Sequence, residues 1–156
     1  MTPRPTLTLG NAGVSKAKIN WTLVDGADGY ALYRSTSADG TYSQIATFDD
    51  GYRTSCTATG LTTGQTYYFR VAAYKYVGGT KVYGTRSLAE SIMPSPIAPT
   101  GLAGTAYAQS VKLTWNKVTG ISGYRVFRAT GTGSYQAVAD VTGTTFTDTD
   151  LVCGQT

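Results

Sequence analysis

The sequence predicts an all-β protein folded as an antiparallel β-sandwich, and three observations carry this prediction. Apolar residues recur with a period of two, as in Ala17, Ile19 and Trp21, which alternate with polar neighbours. The segments are short, start about 8–12 residues apart and are separated by glycine-bearing turns. No stretch shows the apolar period of a helix over about ten residues. Short strands in two packed antiparallel sheets are therefore expected.

An internal repeat predicts that this arrangement occurs twice. Three groups of residues recur 94 positions later: Trp21 as Trp115, Gly29-Tyr30 as Gly123-Tyr124, and Arg34 as Arg128. Further along, Leu61 matches Leu151 at an offset of 90, so the second copy is shorter by four residues. A period of this length fits whole domains that each bury a core, not the turns of a solenoid.

A proline-rich segment separates the two copies. Three prolines within residues 94–99 disfavour a helix and favour an extended connector. We therefore predict a first module over residues 1–94, a linker over 95–100 and a second module over 101–156. The second copy stops one residue before the position that would match Tyr67. We expect a complete first module of seven strands and a truncated second module with the first five strands only.

The strands follow from alternation and from the turns between them. After an opening strand, the first copy has predicted strands at 17–21, 30–34, 42–47 and 54–59, then the last two at 67–74 and at 81–83 with 87–92. The second copy has matching segments at 111–115, 124–128, 135–141 and 144–149. Seven residues are predicted to form the core of the first module: Trp21, Tyr30, Leu32, Leu61, Tyr67, Phe69 and Val71.

The composition excludes several kinds of chemistry. The chain has no histidine, which removes the usual general base at neutral pH and the commonest metal ligand. Cys56 and Cys153 lack the spacing of a zinc site, and Cys56, which matches Phe146, is predicted to be a small buried residue. The thirteen lysines and arginines are scattered, so a net charge of +4 predicts no nucleic-acid partner. No apolar run approaches the length of about 18 residues that a membrane helix needs.

Two acidic pairs are candidates for a metal or catalytic site. Asp49-Asp50 and Asp148-Thr149-Asp150 lack the Asp-x-Asp-x-Asp-Gly pattern of a calcium loop. Glu90 is the only glutamate, which gives little support to a glycosidase pair of carboxylates. We predict no catalytic residue, no metal ligand and no cofactor.

Aromatic residues are the remaining candidates for binding. Trp21 and Trp115 were considered as sugar-stacking platforms, but both lie on the apolar side of a strict alternation and are predicted to be buried. Several tyrosines fall on the solvent side of predicted strands, where cross-strand pairing that stabilises the sheet is the first expectation. The alternative is that this row of tyrosines binds a glycan or a neighbouring module. The candidate surface-binding aromatics are Tyr68, Tyr74, Tyr76 and Tyr83; Tyr33 belongs to the same group by its position.

The order of these features resembles the fibronectin type III family, in particular the tandem modules of bacterial surface and secreted proteins. The matching segments cover nearly the whole chain: the opening residues 99–102, the strand tryptophans, the Gly-Tyr-x-Val-x-Arg strand at 123–128, the turn-and-tyrosine element at 61–67 and the hairpin at 74–84. The resemblance implies an immunoglobulin-like sandwich in which the Tyr67 hydroxyl anchors the loop before the sixth strand.

The resemblance also implies a role. It suggests a non-catalytic spacer and interaction scaffold in an extracellular or cell-surface bacterial protein. Its partners would be adjacent modules of the same parent chain, and a glycan or another cell-surface protein. The alternative is a carbohydrate-binding or cell-wall-binding accessory module of a polysaccharide-degrading enzyme, which would need three or more coplanar exposed aromatic rings on one sheet face.

Overall fold

The computed structural model describes residues 3–152. The chain divides into two compact units, Met1–Ile97 and Ala98–Thr156. Within the described residues the regular secondary structure is entirely β, and every strand pairing is antiparallel. The all-β immunoglobulin-like sandwich expected from the sequence is confirmed.

The first unit consists of two facing sheets. Its strands are β1 (Leu7–Asn11), β2 (Ala17–Trp21), β3 (Gly29–Ser35), β4 (Ser43–Phe48), β5 (Ser55–Ala58), β6 (Tyr67–Val77), β7 (Thr80–Tyr83) and β8 (Glu90–Ile92). One sheet has the order β1-β2-β5; in the larger sheet β3 lies between β4 and β6, and both β7 and β8 pair with β6. All seven residues predicted for the core are buried between the sheets, which confirms that prediction.

The last strand of the first unit differs from the expectation. It is split into β7 and β8, so this unit has eight strands where the sequence predicted seven. The interruption contains Ser87, a fully buried serine whose N–H donates to the carbonyl of Val71 (2.7 Å). The N–H of Val71 in turn donates to the Ser87 hydroxyl (3.0 Å). A side-chain oxygen thus takes the place of a backbone carbonyl, and the regular ladder stops there.

The second unit repeats the first five strands of this plan. They are β9 (Ala103–Ala106), β10 (Val111–Thr114), β11 (Tyr124–Arg128), β12 (Gln136–Val141) and β13 (Thr145–Asp148). β9, β10 and β13 form one sheet, and β11 and β12 form the other. Within the described residues β11 pairs with β12 alone, whereas the matching strand β3 has a partner on each side.

The sequence repeat is also a repeat of hydrogen bonds. The backbone N–H of Trp21 donates to the carbonyl of Thr54 (2.8 Å), and the backbone N–H of Trp115 donates to the carbonyl of Thr144 (3.0 Å). Tyr30 and Tyr124, which the repeat aligns, make the same anchor: their hydroxyls accept from the backbone N–H six residues earlier, at 2.8 and 2.9 Å. The two units therefore share their internal packing contacts as well as their strand order.

The register of the paired strands also matches between the two units. Ile19 faces Cys56 across β2 and β5, and Leu113 faces Phe146 at the matching positions of the second unit. Cys56 is half-buried, packs against the core, and its thiol has a pKa raised by burial, so it is less enclosed than predicted. Cys153 lies outside the described residues.

The turn before β6 confirms the expected tyrosine anchor. The hydroxyl of Tyr67 accepts a hydrogen bond from the backbone N–H of Thr62 (3.0 Å). This bond ties the loop after Leu61 to the start of β6, and Leu61 itself is buried in the core. The loop is therefore held by both a polar and an apolar contact.

Candidate functional site

The carboxylates that were weighed as metal or catalytic groups have structural partners. Asp148 accepts two hydrogen bonds from Arg128 (2.9 and 3.1 Å), and Asp50 accepts one from the backbone N–H of Tyr52 (2.9 Å). Among residues 3–152, no group of three or more histidine, cysteine, aspartate or glutamate side chains is placed to hold a metal ion. No helix in the same residues is long and apolar enough to cross a membrane.

Both tryptophans lie inside the sandwich. Trp21 is 4% exposed, stacks on Phe48 with ring centroids 5.7 Å apart and contacts Tyr30 at 5.5 Å. Trp115 is also buried and packs edge-on against Tyr124. Their predicted core positions are confirmed, and neither ring is available as a sugar platform.

The outward face of the larger sheet of the first unit holds the candidate tyrosines, and Tyr74 is a correction. It was predicted to face solvent but is 1% exposed. Gly29, directly opposite Tyr74 on β3, has no side chain and leaves room for the ring. The rings of Tyr76 and Tyr83 pack against Tyr74 at 5.7 and 5.5 Å, and Lys81 Nζ lies 4.4 Å from its centroid. These neighbours cover the outward side of Tyr74.

The other three candidates are only partly accessible. Tyr76 is 45% exposed, Tyr83 is 42% exposed and Tyr68 is half-buried. The planes of Tyr76 and Tyr83 make angles of 86° and 62° with that of Tyr74, so they do not lie parallel to it. The tyrosines therefore form an edge-to-face cluster instead of a flat platform for a sugar ring. Tyr33, considered with them, is buried.

A network around Asp49 locks this cluster. The Asp49 carboxylate accepts hydrogen bonds from the hydroxyls of Tyr74 and Tyr76 and from Lys81 Nζ, the last at 2.7 Å. The Lys81 hydrogen bond, followed by the one from Tyr74, lowers the pKa of Asp49 from 3.8 to about 2. Burial and the hydrogen bond to Asp49 raise the pKa of Tyr74 to about 12. The pKa of Lys81 is raised by the same partner.

This network predicts an acid-sensitive contribution to stability. Because the folded-state pKa of Asp49 lies below its ordinary value, the contribution is present above about pH 4 and is lost as the pH falls through about 2. We expect Asp49→Asn to lower the urea midpoint of unfolding at pH 7. We also expect this midpoint to fall less steeply in the variant than in the unaltered chain as the pH is lowered from about 4 to about 2. Asp39→Asn, at an exposed aspartate that makes no ion pair within the described residues, is the matched control. Equal pH profiles for the two variants would contradict this prediction.

Two arginines on the same face were not singled out by the sequence. The guanidinium carbon of Arg86 lies 3.9 Å from the ring centroid of Tyr33, and that of Arg70 lies 4.7 Å from the centroid of Tyr42. We call these four residues the arginine–tyrosine layer. One signal was available in the sequence: Tyr33 and Arg70 both occupy outward positions of their strands. Arg86 lies in the interrupted part of the last strand, where alternation does not predict which way a side chain points.

The second unit contains a groove that is lined in part by β11. It has a volume of about 390 Å³ and is lined by apolar residues of both sheets, among them Leu113, Val126 and Leu151. Val126 matches Leu32, which in the first unit lies between β4 and β6. The groove is also lined by Asp150 and by Arg128 and Asp148, which are paired with each other.

Comparison with known proteins identifies the fold. A two-domain fibronectin type III segment from chicken tenascin superposes with a TM-score of 0.50 at 22% identity, covering 99% of this chain and 86% of that one. The chain therefore has the fibronectin type III fold, as the sequence resemblance implied. A β-1,2-glucanase from Parabacteroides distasonis has a segment that superposes with a TM-score of 0.54 at 21% identity, covering 63% of this chain and 13% of that one. No family model matches the sequence.

The related curated sequences are bacterial enzymes. The chain is 30% identical to part of Exoglucanase B from Cellulomonas fimi over 168 aligned residues, which cover 96% of this chain. It is 32% identical to part of Amylopullulanase from Thermoanaerobacterium saccharolyticum over 74 residues, which cover 47% of this chain. The chain spans 14% and 6% of the lengths of these two relatives.

Proposed function

We propose that this chain is a non-catalytic accessory segment of a secreted bacterial polysaccharide-degrading enzyme, in which it acts as a spacer and interaction scaffold. One observation carries the proposal: nearly the whole chain aligns with a segment that makes up only 14% of Exoglucanase B. Most of that enzyme therefore lies outside the similarity. The proposed partners are the neighbouring modules of the same parent chain, and the proposed location is extracellular.

The geometry supports a mechanical role over a chemical one. In the described residues the carboxylates of Asp49, Asp140 and Asp148 are held by cationic side chains, so they are committed to structure. The chain also has no histidine to serve as a base near pH 7. A spacer needs independent folding and a stable surface, and the first unit has a packed core of this kind.

Direct binding of a neutral glycan is the second candidate. It is favoured by the exposed halves of Tyr76 and Tyr83, which lie on one face of the larger sheet. It is disfavoured by the steep angles that these rings make with Tyr74. A platform for a pyranose needs rings that present their faces to solvent, and here Tyr76 and Tyr83 each make a ring contact with the buried Tyr74.

Sedimentation with insoluble cellulose and insoluble starch tests the two candidates. The spacer role predicts that the chain stays in the supernatant as it does without polysaccharide, and that no reducing sugar is released. Retention that is lost in the double variant Tyr76→Ala/Tyr83→Ala, but kept in Tyr107→Ala, would replace the spacer role with glycan binding. Tyr107 is an exposed tyrosine of the second unit and controls for non-specific aromatic adsorption.

A further inference from the structure

We propose that Arg70 and Arg86 form a binding site for the carboxylate groups of an acidic polysaccharide, on the outward face of the larger sheet of the first unit. The choice of a polysaccharide rests on the proposed function; the carboxylate chemistry rests on the geometry of the arginine–tyrosine layer. None of the relatives' names assigns such a ligand, and the neutral-glycan candidate above uses different residues.

The strands bring the two arginines onto one surface. Tyr33 on β3 and Arg70 on β6 are direct partners in the antiparallel register, so their side chains point to the same face. Ala31 and Ala72, the next outward pair, are both buried beneath the layer. Arg86, which follows β7, contacts Tyr33 on this same face. The outward face of the larger sheet therefore carries both arginine–tyrosine contacts, with Ala31 and Ala72 buried below.

The stacking leaves the hydrogen-bonding capacity of both arginines unused. A guanidinium has five N–H donors in a planar fork, and a contact with the face of an aromatic ring occupies none of them with a hydrogen-bond acceptor. Within residues 3–152 neither the Arg70 nor the Arg86 side chain makes an ion pair or donates a hydrogen bond. The carboxylates that are paired have other partners: Lys75, Lys81, Arg125 and Arg128.

Arg70 carries a second sign of an absent partner. Its Nε is enclosed and has no acceptor within the described residues. Burial of an unpaired donor is costly, and partial removal of water from a guanidinium strengthens its attraction to an anion. The two Nη atoms are not enclosed in this way, so an incoming carboxylate reaches the end of the fork. Aromatic contacts hold that fork in one orientation before any ligand binds.

A carboxylate is the anion that this arrangement fits, since the planar fork of arginine matches the two oxygens of a carboxylate. A sugar is favoured over a peptide by Tyr68. It lies two residues before Arg70 on the same face of β6, about 7 Å away along the strand. Tyr68 is half-buried and makes no ring contact within the described residues, so the accessible part of its side chain remains available to a sugar.

The test is titration of the intact 156-residue chain with an oligogalacturonate at neutral pH and low ionic strength, followed by calorimetry and by amide NMR shifts. The fully methyl-esterified oligosaccharide, which has the same sugar backbone without charge, is the matched probe. We expect binding of the acid form only, and at least tenfold weaker binding for Arg70→Gln and for Arg86→Gln. Arg86→Lys, which keeps the charge but loses the planar fork, is expected to bind more weakly than the unaltered chain.

Arg53→Gln is the control variant. Its guanidinium is also stacked on a ring, 4.3 Å from the centroid of Phe48, and the substitution removes the same charge from the same unit. An affinity loss in Arg53→Gln equal to that of Arg70→Gln would reduce the effect to net charge and overturn the proposal. Equal binding of the esterified probe, or no binding of the acid form, would overturn it as well.

A polyglutamate of matched charge separates the two sources of carboxylate. Tighter binding of polyglutamate through Arg70 and Arg86 would replace the polysaccharide with an acidic peptide as the ligand. These outcomes are independent of the proposed spacer role, which is tested with uncharged cellulose and starch. Failure of the carboxylate site leaves the sedimentation result unchanged, so the two proposals fail separately.

Discussion

Replacement of Trp21 by alanine is expected to lower the free energy of unfolding of the first unit by about 3–5 kcal/mol. The side chain is almost fully enclosed and is in ring contact with Tyr30 and Phe48. Its removal deletes apolar contacts inside the sandwich and leaves a cavity. The strands are held in register by their hydrogen bonds, so the surrounding residues close this cavity only in part. Urea denaturation followed by far-UV circular dichroism measures the change.

Tyr52→Ala is the control for this prediction. Tyr52 is an aromatic residue of the same unit that is 86% exposed, so its truncation is expected to change stability by less than about 0.5 kcal/mol. A loss below about 1 kcal/mol for Trp21→Ala would show that the tryptophan is not part of the core. The interpretation of Trp21 as a sugar platform would then regain support.

Gly29→Ala is expected to be the second most damaging change, with a cost of about 1–3 kcal/mol or more. A Cβ at this position would overlap the carbonyl oxygen of Phe48 and the hydroxyl of Tyr74. The first belongs to the backbone of the neighbouring strand, and the second to a buried ring that is fixed by the Asp49 network. Neither moves without disturbing the larger sheet, so the added methyl group introduces strain.

Gly10→Ala provides the comparison. Gly10 also lies in a strand of the first unit, but a Cβ there would meet only the Cβ of Lys18 at 3.9 Å, an ordinary contact. Its substitution is expected to be close to neutral, because no atom must move. In both copies a glycine precedes the tyrosine, and we attribute this to the lack of space for a Cβ. Equal thermal midpoints for Gly29→Ala and Gly10→Ala would contradict this explanation. In the second unit, a Cβ on Gly123 would lie 2.8 Å from Val141 O.

The buried half of the structure was predictable because it depends on local rules. Alternation in β2 places Trp21 and Ile19 inward, and the offset of 94 residues transfers this assignment to Trp115. The fold class and the seven core residues followed from the same pattern. The Tyr67 anchor followed from family resemblance, which supplies a contact that spacing alone does not.

The outward face was less predictable, for a physical reason. Alternation shows that Tyr74 points away from the core, but it does not show what covers the ring. The ring has room to lie against the sheet because Gly29, on one neighbouring strand, has no side chain. Lys81 and Tyr83, on the other neighbouring strand, then cover it. Such cross-strand neighbours depend on the register, which the sequence did not fix for the last strand.

The arginines of the proposed carboxylate site were missed for a related reason. Arg70 lies in a predicted strand, but its significance comes from its contact with Tyr42, a residue that is far from it in sequence. Arg86 lies between β7 and β8, where the Ser87 hydroxyl interrupts the ladder and local patterns carry no directional information. Both contacts arise only when the larger sheet is assembled.

Hydrogen exchange on the 156-residue chain tests most directly the claim that the two units share one packing plan and differ beside β11. Amides of β3 are expected to be protected over residues 30–34, because this part of β3 has a partner on both sides. In β11, Tyr124–Arg128, protection is expected only at the amides that bond to β12, since successive amides of a strand point in opposite directions. Uniformly slow exchange of every β11 amide in a verified monomer would contradict the account.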